Sequence, residues 1–474
     1  MTDNTSLELS IAFKRQLSSN LLPAFEDMLP TEAIEAYVKD HLSHTRDKVY
    51  TPIRTLLSMI FTGVQEDKSL QNTVNVFNEK YESECKILQL RESELLLHVK
   101  AEDTKKEKRS GRPRKYLSKI AKSKSRVLSD STVAYTKARK RLPADLLHLT
   151  FEQTNSPNDI KEERWHGCRT YITDGTYVQL QDTPAIRESY PPAENNGMFP
   201  QALLQVFIRQ GSGQIHDYAL GSRKISELEL VLPMLQKMQP DDLLLADDLY
   251  NTYYHFCMVL QQKGHLIVPG KRDRNYTVEK EISTGDETVK IKKPQNRPEY
   301  VPKEEWENLP KDILMRRISY QYQTKGGLET AILYTTIADE KIEKAEIILK
   351  YTKRWDIEIC IREIKTLMDI NVLRAKSPDM LKKELIASLI AYNFVRYMIA
   401  KSVENTDFSP QRNIFYECTP VNRTLLLDKK GRVFNRWSSG RNRKIKIRKH
   451  ILPKHQKQRH YPRKTKKGKY QKYA

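Results

Sequence analysis

The spacing of apolar residues divides the chain into a helical first part and a later part built from short strands. Up to about residue 100, apolar residues recur at helical spacing, as at Leu56, Leu57 and Ile60, with no strand-like alternation. From about residue 169, apolar and polar residues alternate, which is typical of half-buried strands. The pattern therefore predicts an α-helical N-terminal domain followed by an α/β domain.

The α/β part begins with a predicted strand, RTYITDGTYVQL, that contains Asp174. A hairpin follows, because two strand-like runs are joined by the turn residues Gly211-Ser212-Gly213. The pattern then predicts a helix over 225–238, a buried strand in DLLLADDLY, a helix over 253–262 and a strand in HLIVPG. Strand, hairpin, helix, strand, helix, strand is the order of a ribonuclease-H-like core.

Residues 271–337 interrupt this core with strand-like runs around a proline-rich loop, and they predict an inserted β subdomain. Helical patterning then runs from Asp339 through Met368 and again over 379–400. The predicted fold class is therefore α/β: a ribonuclease-H-like core with an inserted β subdomain, preceded by an α-helical N-terminal domain and followed by a basic tail.

Positive charge is concentrated in two segments of a chain whose formal net charge is +22. Residues 104–126 contain 11 Lys or Arg against a single Glu, and Lys429–Ala474 contain 19 and no acidic residue. Since the rest of the chain is slightly acidic, the charge predicts two attachments that bind a polyanion. Nucleic acid is favoured over a membrane surface, because no amphipathic apolar face or lipidation motif accompanies the tail.

These boundaries predict six segments along the chain. They are a helical N-terminal domain (1–103), a basic DNA-binding linker and helix (104–145), the first part of the core (146–270), the β insertion (271–337), the second part of the core with its helices (338–428) and a basic disordered tail (429–474).

The cysteines and the apolar stretches indicate a cytoplasmic protein. The five cysteines lie far apart without a C-x-x-C pair, so neither a disulfide framework nor a structural zinc site is indicated. The N-terminus lacks the basic start and apolar run of a secretory signal. The longest apolar stretch, 385–400, is interrupted by Asn393 and Arg396 and is too short to span a bilayer.

Two acidic positions lie where a charge needs a partner. Asp174 is within an apolar run, where an unpaired charge is unfavourable, although Asp174-Gly175 is also a common turn pair. A second acid, Asp247 or Asp248, follows the buried strand, and this end of a strand is the usual place for active-site groups. Because neighbouring residues point to opposite sides, only one of the two faces the same cleft as Asp174. The strand pattern does not choose between them.

A third acid lies in a stripe of cations and a phenol on the predicted helix. At about 100° per residue, five residues fall within about 80° of one another. They are Tyr351, Arg354, Glu358, Arg362 and Lys365. The stripe is compatible with a solvated helix face held by i,i+4 ion pairs. It is also what a metal-binding carboxylate flanked by phosphate-holding groups requires.

Four of these residues carry a family motif. Tyr351, Arg354, Glu358 and Lys365 have the spacing of the Tyr-Arg-Glu-Lys motif, and the chain resembles the insertion sequence 4 family of bacterial transposases from about residue 129 to 400. The D-G-[ST] motif of that family is matched at Asp174.

The [GA]-D-x-x-Y motif of the family is matched from Ala246 to Tyr250, although Asp248 stands where members usually have Arg. The resemblance selects Asp247 as the second acid.

The resemblance implies a metal-dependent DNA transposase that cleaves the ends of an insertion sequence and joins them to target DNA. It implies Asp174, Asp247 and Glu358 as catalytic residues and as ligands of two Mg²⁺ ions, for which Mn²⁺ can substitute. It places the Tyr-Arg-Lys residues of the stripe on the phosphates of the DNA ends. The expected partners are double-stranded DNA, as terminal inverted repeats and target, and a second copy of the chain in a homodimeric synaptic complex in the bacterial cytosol.

Three further positions are candidates for DNA contact or for the core. Arg112 and Arg114, in RSGRPRKY, match a minor-groove hook, with non-specific phosphate neutralisation as the alternative. Members of the family stack a flipped base on a Trp of the insertion, and Trp306 is the only Trp there. Trp355 is expected in the core.

Two other functions use the same fold. A domesticated DNA-binding protein would keep the fold without the chemistry, and the presence of Asp174, Asp247 and Glu358 disfavours it. A structure-selective nuclease would share the metal site without needing the phosphate-holding stripe.

Overall fold

The structure is a computed structural model, and it describes most of the chain between residues 28 and 403. The described residues are 28–42, 49–65, 67–79, 129–154, 164–192, 199–270, 274–324, 327–368, 370 and 373–403, with the short strands 425–427, 433–435, 463–464 and 470–471. Arg112 and Arg114, the predicted minor-groove hook, lie outside the described residues.

The chain divides into two compact units, Thr31–Pro143 and the combination of Met1–Pro30 with Ala144–Ala474. The described part of the first unit is helical, as the sequence predicts. Its helices are α1 (Thr31–His41), α2 (Pro52–Val64), α3 (residues 70–79) and α4 (Val133–Arg141). The side chain of Thr51 caps α2 by accepting a hydrogen bond from the Arg54 amide, and the apolar face predicted around Ile60 is buried.

The second unit is built on a large mixed sheet whose middle follows the predicted order of strands. The strands are β1 (Arg164–Trp165), β2 (Cys168–Gln179), β3 (Gln201–Arg209), β4 (Ile215–Ser222), β5 (Asp242–Leu245) and β6 (His265–Pro269). The hairpin of β3 and β4 lies antiparallel on one side of β2, and β1 pairs with the start of β2. On the other side, β5 and β6 run parallel to β2.

The segment 271–337 extends this sheet instead of forming a sheet of its own. It contributes β7 (Thr277–Ser283), β8 (Asp286–Lys292), β9 (Asp312–Thr324) and β10 (Gly327–Thr335). β10 pairs antiparallel with β6, so the order among the described strands is β4-β3-β2-β5-β6-β10-β9-β8-β7. The predicted β insertion therefore shares one sheet with the core. Shared burial accounts for this arrangement, since Val289 and Met315 belong to the same apolar cluster as Leu244 of β5.

Helices connect the strands and carry three residues of the candidate stripe, Tyr351, Glu358 and Arg362. They are α5 (Ala144–Thr154), α6 (Pro184–Ser189), α7 (Glu227–Leu230), α8 (Leu232–Gln236), α9 (Tyr253–Gln261), α10 (Lys303–Glu307), α11 (Lys344–Thr352), α12 (Asp356–Arg362) and α13 (Pro378–Val403). The single helix predicted over 225–238 is two short helices, because Pro233 lies in the first turn of α8 and lacks the N–H that a continuous helix needs.

The continuous α-helix predicted from Asp339 through Met368 is wrong. The chain forms a 3₁₀ turn over Lys353–Trp355 between α11 and α12, and a π-helical turn over Glu363–Leu367 after α12. At the start of the π turn, the Glu363 side chain is directed into the interior, where it forms an ion pair with the fully buried Arg396 of α13. Such wide turns re-aim the side chains around them.

Short strands also lie in the predicted disordered tail. They are β11 (Leu425–Leu427) paired with β12 (Val433–Asn435), and β13 (Arg463–Lys464) paired with β14 (Tyr470–Gln471). The disorder predicted for 429–474 stays a prediction, because the structure describes only these short strands of that segment. The apolar runs LLL and VFN flank a Gly-containing turn sequence, which is a hairpin signal. Over the residues that the structure describes, no helix is long and apolar enough to cross a membrane.

Candidate active site

Asp174 lies in β2 beside the point where the parallel pairing with β5 ends. The register pairs Ile172 with Leu245, and its continuation by two residues sets Asp174 level with Asp247. The side chain of Asp174 is half-buried, and its Oδ1 accepts a 2.8 Å hydrogen bond from the Gly175 amide. Asp174 is thus on a strand that the sequence predicts, not in the turn that its pairing with Gly175 also allowed.

Neighbouring charges act on the Asp174 carboxyl from two other elements. Burial raises the pKa of Asp174, and the charges of Asp247 and Glu358 raise it further. The hydrogen bond from Gly175 and the charge of Arg354 lower the same pKa. The other two acids of the predicted triad, Asp247 and Glu358, are therefore within electrostatic reach of Asp174.

Asp247 follows β5 and faces Asp174, whereas Asp248 is exposed to solvent. The Oδ1 atom of Asp247 accepts a 2.9 Å hydrogen bond from the Leu249 amide and caps the 3₁₀ turn Asp248–Tyr250. Burial raises the pKa of Asp247, and the charge of Asp248 adds to this rise. The carboxyl that interacts with Asp174 is that of Asp247, so the geometry favours Asp247 over Asp248 as the second acid.

Two cations lie among these acids. Arg354 is only 9% exposed, and its buried Nε has no hydrogen-bond partner within the described part of the chain. Its charge lowers the pKa of both Asp174 and Asp247. Lys365 is half-buried, so burial lowers its pKa, while the charge of Asp174 opposes that change. Glu358 is exposed on α12, one turn beyond Arg354.

The remaining members of the predicted stripe differ in exposure. The Tyr351 hydroxyl donates a 3.3 Å hydrogen bond to the carbonyl of Ala246, the residue before Asp247. Burial raises the pKa of Tyr351, so its phenol keeps its proton at neutral pH and stays a donor. Arg362 is exposed on α12. The stripe is thus assembled across a 3₁₀ turn and a π turn, not along one regular helix.

A fourth acid, which the sequence analysis missed, lies beside this group. Glu227 is the first residue of α7, and the charges of Asp174 and Asp247 act on its carboxyl. The available signal was Gly175, because a glycine within a strand often marks a place where another group approaches the backbone closely. That signal does not say which residue approaches.

The donors fit a hard divalent cation in their chemistry. Carboxylate oxygens are the ligands that Mg²⁺ prefers, and a bound cation would relieve the repulsion between Asp174 and Asp247. Among the residues that the structure describes, no three His, Cys, Asp or Glu side chains converge into a complete metal-binding group. The carboxylates are therefore gathered around β2 and β5, and side-chain rotation would be needed to bring them onto one ion.

The two tryptophans differ in exposure from what the sequence analysis expected: Trp306 is buried and Trp355 is exposed. Trp306 is 7% exposed and packs against Tyr253, with Lys293 over its ring, so it does not offer a face to a DNA base. The expectation that Trp355 lies in the core is wrong, since Trp355 is 58% exposed. The Arg354 guanidinium lies 4.4 Å from the centroid of its ring.

Comparison with known proteins assigns a domain to the region that contains the site. Residues 165–394 match the family described as the transposase DDE domain. The chain is 27% identical over 305 residues to the transposase InsG for insertion sequence element IS4 from Escherichia coli strain K12. This alignment covers 62% of this chain and 67% of that protein. It is also 28% identical over 91 residues to the transposase for insertion sequence element IS421 from Escherichia coli. That alignment covers 19% of this chain and 24% of that protein.

One solved structure is similar over most of the chain. A chain of the piggyBac transposase synaptic complex with hairpin DNA, determined by cryo-EM, aligns with 84% of this chain and 80% of its own length. The TM-score is 0.40 and the identity is 9%, so this likeness is too distant to bear on function.

Proposed function

Because this chain is a DNA transposase that carries a transposase DDE domain, we propose that Asp174, Asp247 and Glu358 bind the divalent metal ions with which it cuts and joins DNA. One observation supports this assignment most directly: the carboxyls of Asp247 and Glu358, from two different elements, both act on the carboxyl of Asp174. The half-buried position of Asp174 makes this gathering of like charges unfavourable without a cation.

The metal we propose is Mg²⁺, bound as two ions, with Mn²⁺ as a substitute. When bound, such ions activate a water or a 3′-hydroxyl and stabilise the leaving oxygen of a phosphodiester. The protein side chains supply the surroundings for this chemistry. Arg354 and Lys365 balance the charge of the acids and hold phosphate oxygens of the DNA end, with Arg362 as a further contact. Tyr351 donates its hydroxyl hydrogen bond to the same phosphates.

The fold that we propose for the second unit is ribonuclease-H-like. The proposal is supported by the strand order β4-β3-β2-β5-β6, in which a hairpin is antiparallel and two later strands are parallel to β2. In this order the middle of β2 and the carboxyl end of β5 are neighbours. A ribonuclease-H-like sheet therefore brings Asp174 and Asp247 to one place.

The DNA that we propose as the substrate is double-stranded, and it comprises the terminal inverted repeats of an insertion sequence and a target site. Arg112 and Arg114, outside the described residues, would enter a minor groove of the end DNA. Two copies of the chain would hold two ends in a synaptic homodimer in the bacterial cytosol.

One assay tests the proposed function against its rivals. The full chain is incubated with Mg²⁺, a labelled duplex that bears its terminal inverted repeat, and a supercoiled target plasmid. Joined product supports end cleavage and transfer by one site. Cleavage without joining would instead support a structure-selective nuclease, and binding without cleavage a DNA-binding protein that has lost the chemistry.

Deletion of 429–474 should flatten the salt dependence of DNA binding. The segment contains 19 Lys or Arg and no acid, and each phosphate contact adds about 0.9 to the slope of log K against log salt concentration. Fluorescence anisotropy with a labelled duplex at several salt concentrations measures the slope. Replacing every Lys of the tail by Arg is the control that should keep it. An unchanged slope after deletion would show that the tail makes no phosphate contacts.

Replacing Lys365 with Met should weaken binding of end DNA and lower the same slope by about 1. Lys365 is half-buried beside Asp174, so its ammonium group is held at the site. Lys341→Met is the matched control, because Lys341 is an exposed cation in the turn before α11. Equal losses in the two variants would contradict a phosphate contact at Lys365.

A further inference from the structure

The carboxyl group of Glu227 lies directly against the backbone of Gly175, the residue after Asp174. A Cβ atom built on Gly175 would be 2.5 Å from Glu227 Cδ and 2.7 Å from Glu227 Oε1. A side chain at position 175 would therefore displace the end of the Glu227 side chain. Gly175 is an extended residue within β2, and it is absent from the glycines with positive φ in the described chain. The Glu227 carboxyl thus occupies the space that a side chain at position 175 would fill.

The surroundings of Glu227 disfavour a lone negative charge. Burial raises the pKa of Glu227, and the charges of Asp174 and Asp247 raise it further. Within the described part of the chain, no hydrogen bond or ion pair reaches the Glu227 carboxylate. A half-buried carboxylate beside two others is held there at a cost to stability, which a bound cation would offset.

A buried amide oxygen points to the same place. Gln205 is 0% exposed, and its Nε2 donates hydrogen bonds of 2.7 Å to Thr173 Oγ1 and 2.6 Å to the Tyr250 hydroxyl. Its Oε1 has no hydrogen-bond partner and lies 2.8 Å from the Cβ position of Gly175. A buried acceptor without a partner is destabilising, because it has lost its hydrogen bonds to water. Oxygen atoms of Gln205 and Glu227 thus both lie beside Gly175, and within the described part of the chain no donor reaches Gln205 Oε1.

We propose that Glu227 is a fourth carboxylate of the divalent-ion site, that the amide oxygen of Gln205 lines the same site, and that Gly175 is glycine to admit Glu227. The ligand is a hard divalent cation, since carboxylate and amide oxygens are the groups that bind Mg²⁺ and Mn²⁺. The inference rests on the proposed function, in which Asp174 and Asp247 bind the same ions. It assigns to the glycine of the D-G-T sequence the role of making room for an acid 52 residues away.

The first test measures metal binding without catalysis. Mn²⁺ is titrated into the full chain without DNA, and free Mn²⁺ is followed by electron paramagnetic resonance. Glu227→Gln should weaken Mn²⁺ binding about 10- to 100-fold, the range found when a group that supports a metal site is lost. Glu229→Gln is the matched control. It lies on the same helix, but its charge acts on Tyr300, and the side chain that lies against Gly175 is that of Glu227.

The second test separates metal binding from a structural role by thermal unfolding in EDTA and in Mn²⁺. If Glu227 binds the ion, Glu227→Gln is at least as stable as the wild type in EDTA, because a repelled charge is gone. It then gains less stability from Mn²⁺, since that gain follows the dissociation constant. A variant that is less stable in EDTA and binds Mn²⁺ normally would overturn the inference, because Glu227 would then stabilise the fold without binding the ion.

Asp174→Asn distinguishes the failure of this inference from that of the proposed function. If Asp174→Asn weakens Mn²⁺ binding and Glu227→Gln does not, only the fourth carboxylate is wrong. If neither substitution changes Mn²⁺ binding, the proposed metal site itself is wrong.

Discussion

Replacing Asp174 with Asn should lower the rate of strand cleavage by about 10³-fold or more, while binding of end DNA changes little. Metal ions supply several kcal/mol of transition-state stabilisation, and about 1.4 kcal/mol corresponds to a factor of ten in rate. The amide has the size of the carboxyl and still offers an oxygen to the Gly175 amide, so the loss reports on the charge. Asp247→Asn and Glu358→Gln should act alike. Single-turnover cleavage of a labelled end in Mg²⁺ measures the rate, and a mobility-shift assay in EDTA measures binding.

Asp248→Asn is the matched control for the second acid. Asp248 is exposed and adjacent to Asp247, and Asp247 is the one whose charge acts on Asp174. Asp248→Asn should therefore cleave at nearly the wild-type rate. Loss of cleavage in Asp248→Asn with full cleavage in Asp247→Asn would transfer the assignment to Asp248.

Replacing Arg396 with Met should lower the free energy of unfolding by about 3–5 kcal/mol. Arg396 is 0% exposed, and it pairs with Glu363 and donates a 3.1 Å hydrogen bond from Nε to the Tyr392 hydroxyl. Removing one partner of a buried ion pair leaves the other charge uncompensated in the interior. Urea denaturation of the full chain, followed by circular dichroism, measures the loss.

Two controls show whether this loss comes from the unpaired charge. The double variant Glu363→Gln/Arg396→Met leaves no unpaired charge, so it should be more stable than Arg396→Met alone. Glu340→Gln breaks the exposed pair of Lys280 and Glu340, whose side chains are 58% and 46% exposed, and should cost less than about 1 kcal/mol. Equal losses from the buried and the exposed pair would contradict the role of burial.

The sequence predicts the middle of the sheet well because its signals are local. Alternation of apolar and polar residues locates β2, and continuous apolar runs locate β5 and β6. The hairpin of β3 and β4 is marked by Gly211 and Gly213, which have φ of 96° and 73° and so need glycine. Asp174 and a second acid at 247 or 248 follow from these strands, and the choice of Asp247 came from the family resemblance.

The features that the sequence does not predict depend on contacts between distant residues. Asn393 and Arg396 interrupt an apolar stretch in the sequence, yet both are fully buried with partners. Asn393 accepts a 2.8 Å hydrogen bond from the Ile215 amide and donates one of 2.8 Å to the Ile215 carbonyl. The contact of Glu227 with Gly175 likewise joins residues from separate elements of the chain. The apolar periodicity of a single segment carries no information about contacts with a distant segment.

The π turn after α12 is unpredictable for the same reason. Helical periodicity assumes a constant angle per residue, and it predicts that Glu363 points away from the acidic site. The structure agrees on this point. The periodicity does not show that the carboxylate of Glu363 is bound to Arg396 on another helix. The 3₁₀ and π turns therefore arise where tertiary contacts override the helical repeat.

Because β6 pairs with β10, this part of the sheet can form only after the long segment between the two strands has been synthesised. β6 ends at Pro269, but the residue that pairs with Pro269 is Leu333, more than 60 residues later. At about 5–20 residues per second, the apolar edge of β6 stays bare for roughly 3–13 seconds on the ribosome. Bare edges recruit other strands, so this interval is when a nascent chain is most exposed to aggregation or to a chaperone. A ribosome stalled between β6 and β10 would hold the chain in that state.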